Sequence, residues 1–204
     1  MQDPHTISSL EQLRQIIPAP NPVAQRKVIS VLDENARQFI SESPLILVAT
    51  ADRRFNIDVS PKGDAPGFVH MENSSTLLIP ERSGNRLTYG FQNLLDTGSI
   101  GLIFLIPGVR ETLRVNGSAV LTREPALLQK FAVGGKAALL CTRVAIKECF
   151  FHCAKALIRS KLWQPEHWRG GASKDAAVKQ WAASFGMDEA AVRQRLEEDY
   201  RCNL

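Results

Sequence analysis

The 204-residue chain lacks the marks of several function classes. It has no apolar run of about 18 residues, the length a membrane-spanning helix requires. Aromatic residues make up 7% of it, so stacking platforms for single-stranded nucleic acid are scarce. The charge balance leaves only +4, and the basic residues form no block of five or six. Weak attraction to small anions follows, and nucleic-acid binding is not expected. The four cysteines, Cys141, Cys149, Cys153 and Cys202, contain no C-x₂-C pair, which excludes the usual zinc spacing and points to reduced, structural thiols. His5, His70, His152 and His167 are too few and too scattered for a metal cluster, so no metal is expected. The G-x-S-x-G elbow, the H-E-x-x-H helix and the P-loop glycines are missing. So is G-x-G-x-x-G, which argues against a Rossmann dinucleotide site. There is no internal repeat and no low-complexity tract.

What is present is an ordinary globular composition. Hydrophobic residues at 44% suffice for one good-sized core with terminal extensions. Residues Met1 to Glu11 are polar and carry no basic-then-apolar signal pattern, so a cytoplasmic location is expected.

Apolar spacing predicts helices over 8–17 and 22–42, separated by Pro18-Ala-Pro-Asn-Pro22. Ser43-Pro44 ends the second, and the period then changes. Leu45 to Ala51 is a short apolar run, expected as a buried strand. Phe55, Ile57 and Val59 alternate with polar residues, the pattern of a half-buried strand after the turn Asp52-Arg53-Arg54. Pro61 to Gly67 is expected as a loop. Phe68–Met71 and Thr76–Ile79 form a hairpin, and Pro80 to Gly84 a second loop. A helix is expected from Asn85, strands over Ile100–Ile106 and Leu113–Leu121, a short helix over Glu124–Phe131 and a strand over Leu139–Lys147. Six or seven short strands with few helices between them suggest an antiparallel barrel with peripheral helices. Arg169 to Ser173 is expected as a linker to two charged helices, 174–185 and 188–200. The domain reading is an N-terminal helical segment (1–42), a barrel domain (43–168) and a C-terminal helical extension (169–204).

Four places carry anion-binding chemistry. Gly63 in Ser60-Pro-Lys-Gly-Asp64 allows close backbone approach, and Lys62 adds a point charge. Arg82-Ser-Gly-Asn-Arg86 puts two guanidinium groups at a helix start, where free N–H groups favour a phosphate. Thr112, Arg114 and Asn116 share one strand face. Finally, the segment Cys149–Trp163 is expected as a helix. At about 100° per residue, His152, Lys155, Arg159 and Trp163 would then fall within roughly 80° of arc. That face suits an anionic, planar, aromatic ligand.

Together, Asp58-Val-Ser-Pro-Lys-Gly-Asp64, Leu78-Ile-Pro-Glu-Arg-Ser-Gly-Asn-Arg86, Glu111-Thr-Leu-Arg-Val-Asn-Gly117 and Cys153-Ala-Lys-Ala-Leu-Ile-Arg-Ser-Lys-Leu-Trp163 resemble the FMN-binding split-barrel proteins of the pyridoxamine 5′-phosphate oxidase-like family. The resemblance covers about residues 20–168 and favours a subgroup distinct from the true oxidase. It implies a mainly β (α+β) fold, a six-stranded antiparallel split β-barrel, dimerised with two FMN sites at the subunit interface. It implies an FMN-dependent oxidoreductase acting on an unidentified small molecule, with a non-catalytic flavin or haem binding protein as the alternative. Carried over, the second strand and its loop place Val59, Ser60, Pro61, Lys62 and Gly63 against the flavin. Ile79, Pro80, Arg82, Asn85 and Arg86 hold the phosphate. Thr112, Leu113 and Arg114 approach from the partner, and Lys155, Arg159 and Ser160 complete the pocket. The true oxidase's C-terminal Trp- and Arg-bearing segment has no counterpart here, so vitamin B6 oxidation is not expected. A cation near the flavin's pyrimidine end would favour its reduced, anionic form. The flavin would carry the electrons, so no dedicated catalytic side chain is assigned.

Overall fold

Alternation places every second residue of Leu45–Ala51 inward. Ile46, Val48 and Thr50 are buried, while Leu45, Leu47, Ala49 and Ala51 are half-buried on the opposite face. This strand, β1, belongs to a sheet seen in a computed structural model that describes residue 3, residues 5–168 and residues 172–203. The sheet also contains β2 (Ile57–Gly63), β3 (His70–Asn73), β4 (Thr76–Glu81), β5 (Ser99–Leu105), β6 (Thr112–Thr122) and β7 (Leu140–His152). The order is β2-β1-β5-β6-β7-β4-β3, with every pair antiparallel. The fold is an antiparallel split β-barrel with peripheral helices. Its strand count is seven, not six, because the four-residue β3 forms its own ladder with β4.

The helices are α1 (Leu10–Ile16), α2 (Pro22–Gln25), α3 (Glu34–Glu42), α4 (Tyr89–Thr97), α5 (Pro125–Lys130), α6 (Lys155–Ser160), α7 (Ala176–Phe185) and α8 (Glu189–Asn203). The main core joins α3 (Ala36, Phe39, Ile40) to the inner faces of the strands, including Leu77, Ile79, Leu102, Phe104, Leu113 and Val144. Each such side chain contributes about 1.5–3 kcal/mol on burial. A second cluster gathers Leu78, Leu128, Phe131 and Cys141 around α5. A third holds Val178, Ala182 and Val192 of α7 and α8. Of the expected linker, Arg169, Gly170 and Gly171 lie outside the described residues. Among the described residues, no helix is long and apolar enough to cross a membrane.

Several sequence expectations are corrected. The helix over 22–42 is two helices, because the backbone between them is drawn into tertiary pairing. Ile29 exchanges hydrogen bonds with Cys149 at 2.9 and 2.7 Å, and the Leu32 N–H donates to Ser74 O at 2.7 Å. Asp33 then starts α3 afresh, its Oδ1 accepting from the Ala36 N–H. Pro61 to Gly63 is strand, not loop. β2 is an edge strand paired only with β1, and a proline is tolerated at an edge. The helix expected from Asn85 begins at Tyr89. Asn85 Oδ1 accepts from the Leu87 N–H, an Asx turn that competes with helix formation, and Arg86 and Thr88 have φ of 63° and 58°.

The largest correction concerns Cys149–Trp163. The strand continues to His152, paired with β6 from Thr112↔His152 through Val115↔Cys149. Phe150 and Phe151 suit a strand, and the long β6 offers them a ladder. The helix spans only Lys155–Ser160 and stops at Lys161, whose φ is 53°. His152 and Trp163 therefore lie outside it, and only Lys155 and Arg159 share a helical face. Trp163 anchors the loop after β5, donating from Nε1 to Val109 O at 2.8 Å.

Burial pushes the thiols of Cys141 and Cys149 up to about 11. In the unfolded chain they ionise near their ordinary value of 9.0. The folded state thus keeps protons that the unfolded chain loses, and stability falls as pH rises from 9 towards 11. Urea midpoints at pH 8 and about pH 10.5 are expected to differ in that direction, and replacing both cysteines with alanine should flatten the dependence.

Candidate functional site

β2 carries its polarity backwards for a core strand. Asp58, Ser60 and Lys62 are half-buried, while Ile57 and Val59 are 72% and 60% exposed. The polar column faces α4. That helix is fastened to β1 by Asn93 Nδ2 donating to Thr50 Oγ1 at 3.1 Å and by Thr97 Oγ1 donating to Ala51 O at 2.7 Å. An Arg53–Asp96 ion pair at 2.9 Å holds its far end. This brings Gly90 against the column, where a Cβ would stand 3.1 Å from Asp58 Oδ2. Phe91 presents its ring to Lys62 Nζ at 4.8 Å from the centroid.

β2 and β4 are not neighbours in the hydrogen-bonded sheet, yet their side chains meet. Lys62 Nζ lies 2.5 Å from Glu81 Oε2, and Arg82 Nε donates to Asp64 Oδ2 at 3.3 Å. Arg82 also donates to Phe131 O at 2.7 Å. Two ion pairs therefore bridge the split of the barrel. Glu81 is 4% exposed, and its Oε1 accepts from Thr142 Oγ1 of β7 at 2.9 Å.

The predicted site residues divide accordingly. Ser60, Lys62, Arg82 and the last residues of β4 are brought together at the seam. Val59, Pro61 and Gly63 point to the outer face of the same strand, where they are exposed. Ile79 and Leu113 have fully buried side chains, so they can meet a ligand only through backbone groups. Pro80 follows Ile79 as the penultimate residue of β4, opposite Cys141 of β7. Asn85 and Arg86 occupy the loop leading into α4. The Arg86 side chain forms no hydrogen bond or ion pair among the described residues. Thr112 and Arg114 stand on the outer face of β6, with Arg114 5.2 Å from the centroid of the Phe150 ring. Arg114 lies opposite Ile103, and β5 and β1 separate its strand from β2. Three strand spacings make roughly 14 Å along the sheet, so within one chain the arginine stands well away from β2. Lys155, Arg159 and Ser160 lie on α6 beyond β7, and Ser160 Oγ donates back to Leu157 O.

Glu81, Thr142 and Phe91 did not stand out in the sequence. The one available signal was a carboxylate closing the apolar run Leu77-Leu78-Ile79-Pro80-Glu81, where a charge needs a partner. His70 was set aside as scattered, and it stacks on Phe131 with centroids 4.3 Å apart. Burial, then Lys130 and Arg82, hold its pKa below the ordinary histidine value. Among the described residues, no three His, Cys, Asp or Glu side chains gather as a metal site.

Backbone strain concentrates at the phosphate loop predicted from sequence. Arg86 and Thr88 both adopt the left-handed region, and the Thr88 hydroxyl accepts from Gln92 Nε2 and caps no backbone N–H of α4. Each such residue costs about 1–3 kcal/mol, which the fold retains next to an unpaired guanidinium.

Among solved structures, HupZ of Group A Streptococcus is similar over 59% of this chain and 93% of its own, with 20% identity and a TM-score of 0.49. A Clostridium acetobutylicum protein related to general stress protein 26, of the pyridoxinephosphate oxidase family, is similar over 59% and 90%, at 10% identity and 0.46. An FMN-binding protein of Syntrophomonas wolfei is similar over 71% and 97%, at 12% identity and 0.43. No curated protein sequence matches the chain. The family profile described as pyridoxamine 5′-phosphate oxidase matches residues 32–153, from the residue before α3's cap to the end of β7. With the split barrel and more than half the chain matched, the protein belongs to the pyridoxamine 5′-phosphate oxidase family.

Proposed function

We propose that the chain binds FMN at the interface of a homodimer in the cytoplasm and works as an oxidoreductase on a small molecule. The observation that carries this reading is the unpaired Arg86 in a strained loop just ahead of the start of α4. A dianionic phosphate fits there, because a guanidinium fork binds it bidentately and Asn85 lies next to it. The free edge of β2 at Val59–Gly63 offers backbone donors and acceptors for a flat heterocycle. When bound, the flavin supplies two-electron chemistry; the chain supplies orientation, charge and exclusion of water.

The split distribution of the cations supports two half-sites. Arg114 lies too far from β2 to meet the same ligand within one chain, so the partner subunit's Arg114, with Thr112 and the Leu113 backbone, would complete the site. Lys155, Arg159 and Ser160 would border its mouth. The outer sheet face supports the dimer. Ile57 and Val59 are exposed there beside Leu45, Leu47, Ala49 and Ile103, and a groove of about 420 Å³ lined by Ala49, Ile57, Gly101 and Gly117 adjoins them. Such an apolar patch marks an association surface. Ile57→Glu is expected to shift the sedimentation profile from dimer to monomer. A monomeric wild type would remove this support.

Cys141, Cys149 and Cys153 are free thiols, which fits a reducing compartment. The separate α7–α8 core supports reading 169–204 as an extension of the 43–168 barrel, with 1–42 as a leading segment. The visible spectrum of the purified protein tests the cofactor. The two broad bands of oxidised flavin are expected. A sharp Soret band would replace FMN with haem, and colourless protein that takes up no added FMN would end the proposal. Anaerobic bleaching by NADH or NADPH would separate an oxidoreductase from a carrier.

A further inference from the structure

Lys62 is not the free cation that its place in the sequence suggests. Its ammonium sits between the Glu81 carboxylate, at 2.5 Å, and the face of Phe91, at 4.8 Å. Glu81 is fixed from two sides, one oxygen by Lys62 of β2 and the other by the Thr142 hydroxyl of β7. Its side chain is 6% exposed and that of Lys62 22%, so water does little to screen either charge. A carboxylate buried this deeply persists where it has both an ion partner and a hydrogen-bond donor. Arg82, the next residue, already bridges the seam through Asp64 and is further held by Phe131 O. Joining β2 to β4 therefore does not depend on Glu81 alone, which leaves its charge to be explained.

We infer that Glu81 is a positioning residue that neutralises Lys62 and so holds down the reduction potential of a flavin bound beside Val59–Lys62. This rests on the FMN reading above. A free cation next to an isoalloxazine stabilises the reduced form, which gains negative charge, over the oxidised form. A closed Lys–Glu pair presents a dipole, whose field falls off faster with distance. Thr142 keeps the carboxylate in place, and Phe91 keeps the ammonium from swinging out to another anion. The wall of the site is then neutral at Lys62, and the binding charge lies with Arg86 and the partner subunit's Arg114.

The test uses the full chain reconstituted with FMN. Flavin uptake is measured by fluorescence quenching, and the midpoint potential by equilibration with reference dyes. Glu81→Gln keeps the volume and frees the ammonium. It is expected to favour reduced over oxidised flavin by about tenfold, a positive shift of about 30 mV for a two-electron couple. Glu81→Gln with Lys62→Gln removes both charges and is expected to return the potential to within about 15 mV of wild type, half of that tenfold step. A Glu81→Gln protein that binds FMN at an unchanged potential overturns the inference and leaves the FMN reading standing. Where the single variant does not fold, a shift beyond about 30 mV in the double variant overturns it equally. Wild-type protein that takes up no FMN removes both. A Glu81 with a structural role alone would lower the melting temperature and leave the potentials coincident.

Discussion

Replacing Arg86 with alanine is expected to weaken FMN binding roughly tenfold to a hundredfold, while the melting temperature stays close to wild type. The size follows from losing one charge-assisted hydrogen bond to a phosphate, about 1.5–3 kcal/mol. Stability should be spared because the guanidinium has no partner among the described residues and the residue is exposed. Alanine also keeps a Cβ at φ 63°, so the backbone strain is unchanged. Arg86→Gly supplies the complementary result. It should bind FMN as weakly as the alanine variant yet be at least as stable, since relief of about 1–3 kcal/mol of left-handed strain offsets the roughly 0.5–1 kcal/mol of extra chain entropy that glycine loses. Fluorescence titration and thermal melts read the two quantities separately. Unchanged FMN affinity in both variants would place the phosphate elsewhere.

Gly117→Ala is expected to be the most destabilising single methyl in the barrel. A Cβ there would lie 2.1 Å from the carbonyl oxygen of Ala145 and 3.1 Å from its carbonyl carbon. The obstacle is backbone in the longest ladder of the sheet, so no side chain can swing aside. Gly117 also follows the register shift where Asn116 faces Glu148 and Gly117 faces Ile146, the bulge that bends β6 and β7. A loss of about 3 kcal/mol in urea unfolding is expected, at the upper end for overpacking. Gly84→Ala serves as the control, because its Cβ meets nothing within 4 Å. If the two variants unfold at the same urea concentration, the bulge does not constrain the barrel.

Much of the fold could be read where local pattern and tertiary demand agree. Leu45–Ala51 is the strand that its apolar run announces, and Ser43-Pro44 ends α3 as steric exclusion before proline requires. The failures occur where long-range pairing overrides local preference. Cys149–His152 could be placed at the start of a helix by spacing, but the Thr112–Val115 end of β6 offers it a ladder partner at every residue. The stretch between α2 and α3 lost its helix to backbone hydrogen bonds with Ser74 and Cys149. In the site, the sequence motifs pointed to Lys62 and Arg82 as anion holders, and the structure gives both of them carboxylate partners. The apolar run before Glu81 marks a charge that needs a partner but cannot say which, because Glu81 and Asp64 reach Lys62 and Arg82 across the split. The exposure of Ile57 and Val59 was equally hidden. Alternation reports that a strand has two faces and does not say which one the same chain covers.

The seam of the barrel joins edge strand β2 to β4, next to the opposite edge of the sheet, yet it is close along the chain. Lys62 and Glu81 are 19 residues apart, and Asp64 and Arg82 are 18. Loop-closure entropy grows only with the logarithm of length, so this closure costs little more than a long hairpin. The β5–β6–β7 ladders, by contrast, depend on chain that emerges later from a ribosome. The β1–β2 and β3–β4 hairpins can therefore find each other through opposite charges before the rest of the sheet exists. The seam is therefore expected to form early, and removing its charges should show first in the refolding rate.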